Sequence, residues 1–218
     1  ARHADAVFAA TPTVDVARAL RAGLRQRAEQ AGRSAKEVRV LPGLSLYLAT
    51  TRDAAQALFE QAHRHLGRTQ RLAKLASILG IAVDELPTER RLAPDDFPAP
   101  AQPVRSRTHA ELLLRRIAHE RPTLETLLAL PEVVSPAHWQ VVGTPADAVD
   151  GILAWQAADA IDGFIALPGG SLGSLDLFLE QVVPALQAAQ RLSTSHTPGG
   201  LSARLRANNA IGVLQKQT

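Results

Sequence analysis

The chain has 218 residues, 46% of them hydrophobic and 21% charged, a balance that supports a packed core under an ordinary polar surface. A formal charge of +3, with no interleaving of basic and aromatic residues, argues against a nucleic-acid footprint. The absence of Cys excludes disulfides, thiolate metal sites and Cys nucleophiles, and no run of eighteen apolar residues offers a membrane span.

The first residues, ARHADAVFAA, carry no apolar signal-peptide region, so the expected location is the cytoplasm. ARHAD reads as the end of a helix and the chain has no Met, which leads us to expect the C-terminal part of a longer polypeptide. Residues 6–10 form a short apolar run. Thr13 then caps a helix in which Val14, Ala17, Leu20, Leu24 and Ala28 recur at helical spacing, and Gly32 closes it. VRVLPGLSLYLA (38–49) has the length of a buried strand, with an irregularity expected at Pro42 because proline lacks a ladder donor. Thr50 or Thr51 caps the next helix.

Residues 67–140 break this rhythm. RTQRLAKLASILGI and RTHAELLLRRIAHE read as helices, PTLETLLALPE as a short helix capped by Thr123, and the Pro-rich stretch between the first two as an exposed excursion. The segment reads as a long helical insertion of the lid or dimer-contact kind rather than a domain. Its arginines (Arg68, Arg71, Arg90, Arg91, Arg105, Arg107) read as a solvated face. Thr144, Pro145 and Asp147 then form a helix-start signature, with Pro at the first helical position and Asp three residues after the cap. FIAL (164–167) reads as a buried strand, PGGSLGSLD as a loop, and LDLFLEQVVPALQAAQ as a helix kinked or broken at Pro184; 191–218 reads as a polar tail.

Three βα units follow, with strands near 6–10, 38–48 and 163–167. Short apolar strands alternating with helices point to parallel sheet in an α/β fold. Three strands are too few for an eight-stranded barrel, so the expectation is the C-terminal part of a (β/α)8 barrel spanning 1–190.

The blocks ARHADAVFAA, AGRSAKEVRVLPGLS, VVGTPADAVDGILAWQ, DGFIALP and LDLFLEQVVPALQ, in this order and spacing, resemble the bacterial-luciferase-like flavin monooxygenases. The nearest branch contains nitrilotriacetate monooxygenase component A and dibenzothiophene-sulfone monooxygenase. The resemblance implies a (β/α)8 barrel that uses reduced FMN, supplied by a separate flavin reductase, and O2 to oxygenate a small organic substrate, as a homo-oligomer when full length. It places the matched blocks on the sixth to eighth strands and the flavin phosphate loop before Ala1, so no catalytic or flavin-binding residue is carried over. Where the family continues Asn-Leu-Met-Pro, this chain has Ile165-Ala166-Leu167-Pro168, which removes a polar side chain. A deazaflavin-dependent oxidoreductase of the same fold and a non-catalytic module that binds a partner along its open strand edges are the alternatives.

Barrel sites lie at the C-terminal ends of strands, so Phe8, Ala10, Thr11, Leu167 and Pro168 are the candidate substrate-binding residues, with Tyr47 nearby. Barrel core is the plainer assignment for Phe8, Tyr47 and Leu167. His63 and His65 are two apart and face different sides of a helix; with His109, His119, His138 and His196 scattered, no metal is expected. Trp139 and Trp155 either stack on a ligand or fill helix–sheet gaps. Asp5 and Asp162 sit at the stability face as turn or cap residues. The loop 168–174 follows a strand and precedes a helix, the side on which backbone N–H groups meet anions.

Overall fold

The structure is a computed structural model that describes residues 1–104 and 106–194; Arg105, His196 and most of the expected tail lie outside the described residues. In chain order the elements are β1 (Ala6–Ala9), α1 (Val14–Gln30), β2 (Arg39–Leu48), α2 (Arg52–His63), α3 (Arg68–Leu79), α4 (Arg107–Glu120), α5 (Leu124–Ala129), α6 (Pro131–Val134), β3 (Trp139–Gly143), α7 (Pro145–Ala157), β4 (Ile165–Pro168), α8 (Leu172–Leu177) and α9 (Val183–Ala188). They fall into two compact units, Ala1–Gln61 together with the chain from Trp139, and Ala62–His138.

The first unit holds a four-stranded sheet in which β2 pairs in parallel with every other strand. The strand count therefore corrects the expected three to four. The missed strand is β3, WQVVG, which is five residues long and opens on Trp-Gln rather than on a β-branched run. β1 pairs with Arg39–Pro42, β3 with Leu44–Leu48, and β4 with Gly43–Leu46. Alternate residues of a strand send their N–H and C=O to opposite edges. Arg39 N–H reaches Asp5 O and Ala49 N–H reaches Gly143 O, whereas Val40 O and Leu46 O accept from Asp162 and Gly169. So β1 and β3 share one edge of β2, end to end, and β4 takes the other. Pro42 does not interrupt β2: its partner is Ala9, the last residue of β1, so it stands where one neighbour hands over to the next.

Local signals form the helices as expected. Thr13 Oγ1 accepts from Val16 N–H at 3.5 Å, Thr51 Oγ1 from Ala54 N–H at 3.2 Å, and Gly32 takes a left-handed φ of 75° after α1. At α7 the capping box closes both ways, Asp147 N–H donating to Thr144 Oγ1 at 3.3 Å and Thr144 N–H to Asp147 Oδ2 at 2.9 Å. Between α8 and α9 one π turn, Phe178–Val182, precedes Pro184, which cannot donate to the carbonyl one turn back. The helix is thus re-wound at Pro184 rather than broken. The core packs Leu44, Leu46, Leu48, Trp139 and Val141 against Ala148, Ile152, Trp155, Phe178 and Val182. Trp139 and Trp155 stack on each other, ring centroids 4.0 Å apart and 12° from parallel, so they fill the gap between β3 and α7.

At the N-terminal ends of β2 and β4, Asp162 is more than a turn residue. Its side chain is 3% exposed and accepts from Arg21 Nη2 at 2.8 Å, Arg21 Nε at 3.1 Å, Arg25 Nη2 at 3.0 Å and Val40 N–H at 2.9 Å. Arg39 lies at 3.7 Å, and Arg21 also pairs with Asp159. Asp5 pairs with Arg33 at 3.7 Å.

The unit Ala62–His138 has its own apolar cluster, with Leu75, Leu92, Leu113, Ile117 and Leu127 fully buried. Gly80 closes α3 in a left-handed conformation, φ 68°. Its arginines are largely engaged locally: Arg68 with Glu125, Arg90 with Asp96, Arg71 with Leu66 O and Arg91 with Arg121 O.

Candidate functional site

The C-terminal ends of the strands assemble the candidate site. Period-2 alternation divides the sheet into two faces. Leu44, Leu46, Leu48, Trp139, Val141 and Ala166 belong to the core cluster on one face. The register puts Phe8 beside Leu41, Ser45 beside both Gln140 and Leu167, and Tyr47 beside Val142 on the other. That second face mixes large apolar side chains with three polar groups, Ser45, Tyr47 and Gln140.

Of the five candidate residues, the structure brings Phe8 and Leu167 to this face at different heights. Phe8 sits low, opposite Leu41, and Leu167 four residues further up, opposite Ser45. Phe8 is 52% exposed, so it is not core within this chain. Pro168 ends β4 and is exposed, and Ala10 and Thr11 follow directly on β1. Thr11 is fully buried, and its Oγ1 has no hydrogen-bond partner among the described residues. A buried hydroxyl left unpaired costs about 1–3 kcal/mol.

Tyr47 is 8% exposed, its ring edge-on to Phe59 of α2 with centroids 5.1 Å apart. Burial pushes its phenol above the usual range, which keeps it protonated and able to donate at neutral pH. Gly169 makes this placement possible, since a Cβ there would meet Tyr47 Cζ at 2.8 Å. Ser174 fixes the end of β2: its Oγ accepts from Leu48 N–H at 2.9 Å and donates to Leu46 O at 3.3 Å. Beside it a cleft of about 570 Å3 opens between α2 and α8, lined by Thr50, Leu58, Gln61, Ser171 and Leu177. Ser45, Gln140 and Ser174 escaped sequence reasoning. Alternation along β2 carried a signal for Ser45, and nothing local marked the other two.

The residues present fit a flavin in part. An apolar face with a neutral phenol suits a ring system, but the loop 168–174 is no phosphate cradle. Gly169 N–H donates to Leu46 O, Ser171 N–H to Gly169 O, and Ser171 Oγ accepts from Ser174 N–H at 3.2 Å. Three of the N–H groups that the sequence offered to an anion, those of Gly169, Ser171 and Ser174, are therefore already committed.

A family model described as luciferase-like monooxygenase matches residues 1–160. Nitrilotriacetate monooxygenase component A of Aminobacter aminovorans is 30% identical over 188 residues, 86% of this chain and 40% of its own length. The solved structure of EDTA monooxygenase from Chelativorans sp. BNC1 matches with a TM-score of 0.63 at 25% identity, over 94% of this chain and 46% of that one. The structure of DmoA from Hyphomicrobium sulfonivorans matches in fold, with a TM-score of 0.73 at 23% identity over 96% of this chain and 43% of its own. The chain thus spans less than half the length of each of these proteins, and the expected α/β class, with the parallel strands of a luciferase-like barrel, is borne out.

Proposed function

The chain belongs to the luciferase-like monooxygenase family, and on that footing we propose that it forms the substrate-facing C-terminal part of a two-component, FMN-dependent monooxygenase. Reduced FMN comes from a separate flavin reductase, and with O2 it supplies the oxidising chemistry when bound. The substrate is a small organic molecule; relatives are named for nitrilotriacetate, EDTA and dimethyl sulfide. Phe8, Ala10, Leu167 and Pro168 give the substrate an apolar wall, backed by the buried Thr11 and Tyr47. The flavin phosphate is held by residues of the longer polypeptide, which assembles as a cytoplasmic homo-oligomer.

The observation that carries this reading is the family match over residues 1–160, on parallel strands whose C-terminal ends are where barrel enzymes place their chemistry. Flavin titration tests it. The 218-residue chain by itself should fail to quench FMN fluorescence stoichiometrically, because Gly169, Ser171 and Ser174 in the loop 168–174 have already committed their N–H groups. The longer polypeptide, given a reductase and NADH, should bind reduced FMN and consume O2. Tight one-to-one FMN binding by the isolated chain would overturn the division of labour.

A further inference from the structure

Within the unit Ala62–His138 a cavity of about 420 Å3 lies among α3, α4 and the end of α6. We propose that it binds a small organic anion, one carboxylate carried on a short apolar tail. This site is independent of the monooxygenase assignment and stands or falls without it.

Lys74 supplies the charge. Its Nζ donates to Val134 O at 2.7 Å, which uses one of three ammonium donors and fixes the side chain at the cavity. No carboxylate pairs with Lys74 among the described residues, and no Asp or Glu lines the cavity. The nearby acid, Glu132, is committed elsewhere, both of its oxygens 2.7 Å from Arg116 Nη1. His109 also lines the cavity and is pinned at 2.7 Å to Glu132 O; a carbonyl only accepts, so Nε2 carries the proton. The hydroxyls of Ser106 and Ser135 are engaged, the first accepting from His109 N–H and the second donating to Pro131 O. Ser77 has no such engagement among the described residues and is available to a ligand.

The remaining wall is apolar: Ile78, Val133 and Pro136. One cation with donors to spare, one free hydroxyl and an apolar wall select a monocarboxylate with an aliphatic tail over a di-acid, whose second charge would be desolvated without a counter-ion. The volume lies at the small end of the range for ligand pockets.

Calorimetric titration of the 218-residue chain with isocaproate, and with the neutral, similarly shaped isocaproamide, tests the proposal. The acid should bind saturably, more weakly as NaCl is raised, and roughly tenfold or more tighter than the amide. Lys74→Met keeps the aliphatic stem and should bring the acid down to the affinity of the amide. Ser77→Asp sets a carboxylate at an exposed wall position and should abolish acid binding. Failure of isocaproate to bind the parent chain, equal binding of acid and amide, or unchanged binding in Ser77→Asp would each overturn it.

Discussion

Asp162→Asn should be among the most damaging single substitutions in the first unit, and its cost follows from how that carboxylate is held. The side chain is 3% exposed and takes four hydrogen bonds, three from Arg21 and Arg25 and one from Val40 N–H, with Arg39 at 3.7 Å. Burial raises its pKa, but the Arg21 bonds, Val40 N–H and the charges of Arg21 and Arg25 outweigh it and hold the carboxyl below the usual range. A folded value below the unfolded one means that the stabilisation is present at neutral pH and is lost as pH falls through the folded value. The Asn side chain keeps one acceptor and turns an NH2 toward guanidinium donors, removing the carboxylate that Arg21, Arg25 and Arg39 share and leaving Arg21 to Asp159. Breaking a buried pair in this way costs about 3–5 kcal/mol, a large share of a typical domain's stability. Arg21→Met is the informative contrast. It leaves Asp162 with Arg25, Arg39 and Val40 N–H, and should cost only about 1–3 kcal/mol. Urea unfolding at pH 7, with unchanged m, measures both. A loss below about 1 kcal/mol for Asp162→Asn, or a larger loss for Arg21→Met, would refute the idea that one carboxylate organises this cluster.

Gly169→Ala should destabilise by about 1–3 kcal/mol, because the new Cβ meets the Tyr47 ring at 2.8 and 2.9 Å and Leu46 O at 3.0 Å. In a Tyr47→Val background most of that loss should disappear; an equal loss in both backgrounds would show that the ring is not the obstacle. Asp147 is held well below the carboxylate range by the Arg52 guanidinium, then by the N–H and hydroxyl of Thr144. Its contribution is therefore fully present above the unfolded pKa of about 3.9, declines as pH falls below that, and is lost as pH falls through the lower folded value. Asp147→Asn should lower the urea midpoint at pH 7 and lower it less at pH 3, and a gap independent of pH would contradict the assignment.

Much of the first unit was legible in the sequence because its signals are local. Thr13, Thr51 and Thr144 cap helices through side chains within three residues of their targets, and β2 announced itself as a long apolar run. What escaped was relational. β3 has only five residues and is a strand because Leu44–Leu48 pairs with it, a fact carried by β2 and not by WQVVG. That β4 lies beside β2 rather than β3 depends on which edge of β2 the other two strands occupy. The Asp162 cluster did leave a trace. On α1 the buried positions are Ala17, Arg21 and Ala28, and an arginine on a helix's core-facing stripe implies a carboxylate inside. Of the candidate site, Phe8 and Leu167 were found by counting to the ends of strands. Ser45 and Gln140 become neighbours only once the register is known.

β4, like β1, has only four residues, and these give it little hold of its own. Its position is set by what flanks it. Asp162, three residues before the strand, binds Val40 N–H at one end of β2, and Ser174, six residues after it, binds Leu48 N–H and Leu46 O at the other. The two anchors on β2 are eight residues apart, about 26 Å of extended chain. The segment from Asp162 to Ser174 is therefore held along β2 from both ends, with Gly169 N–H on Leu46 O as a third tie. Leu167 and Pro168 lie between the ties at Asp162 and Gly169, so the position of the substrate wall is set by bonds made on either side of it. A defect at Asp162, at the far end of the sheet, should thus reach the site by loosening β4 against β2, whereas a defect at Ser174 should shift the wall directly while leaving the Asp162 cluster intact.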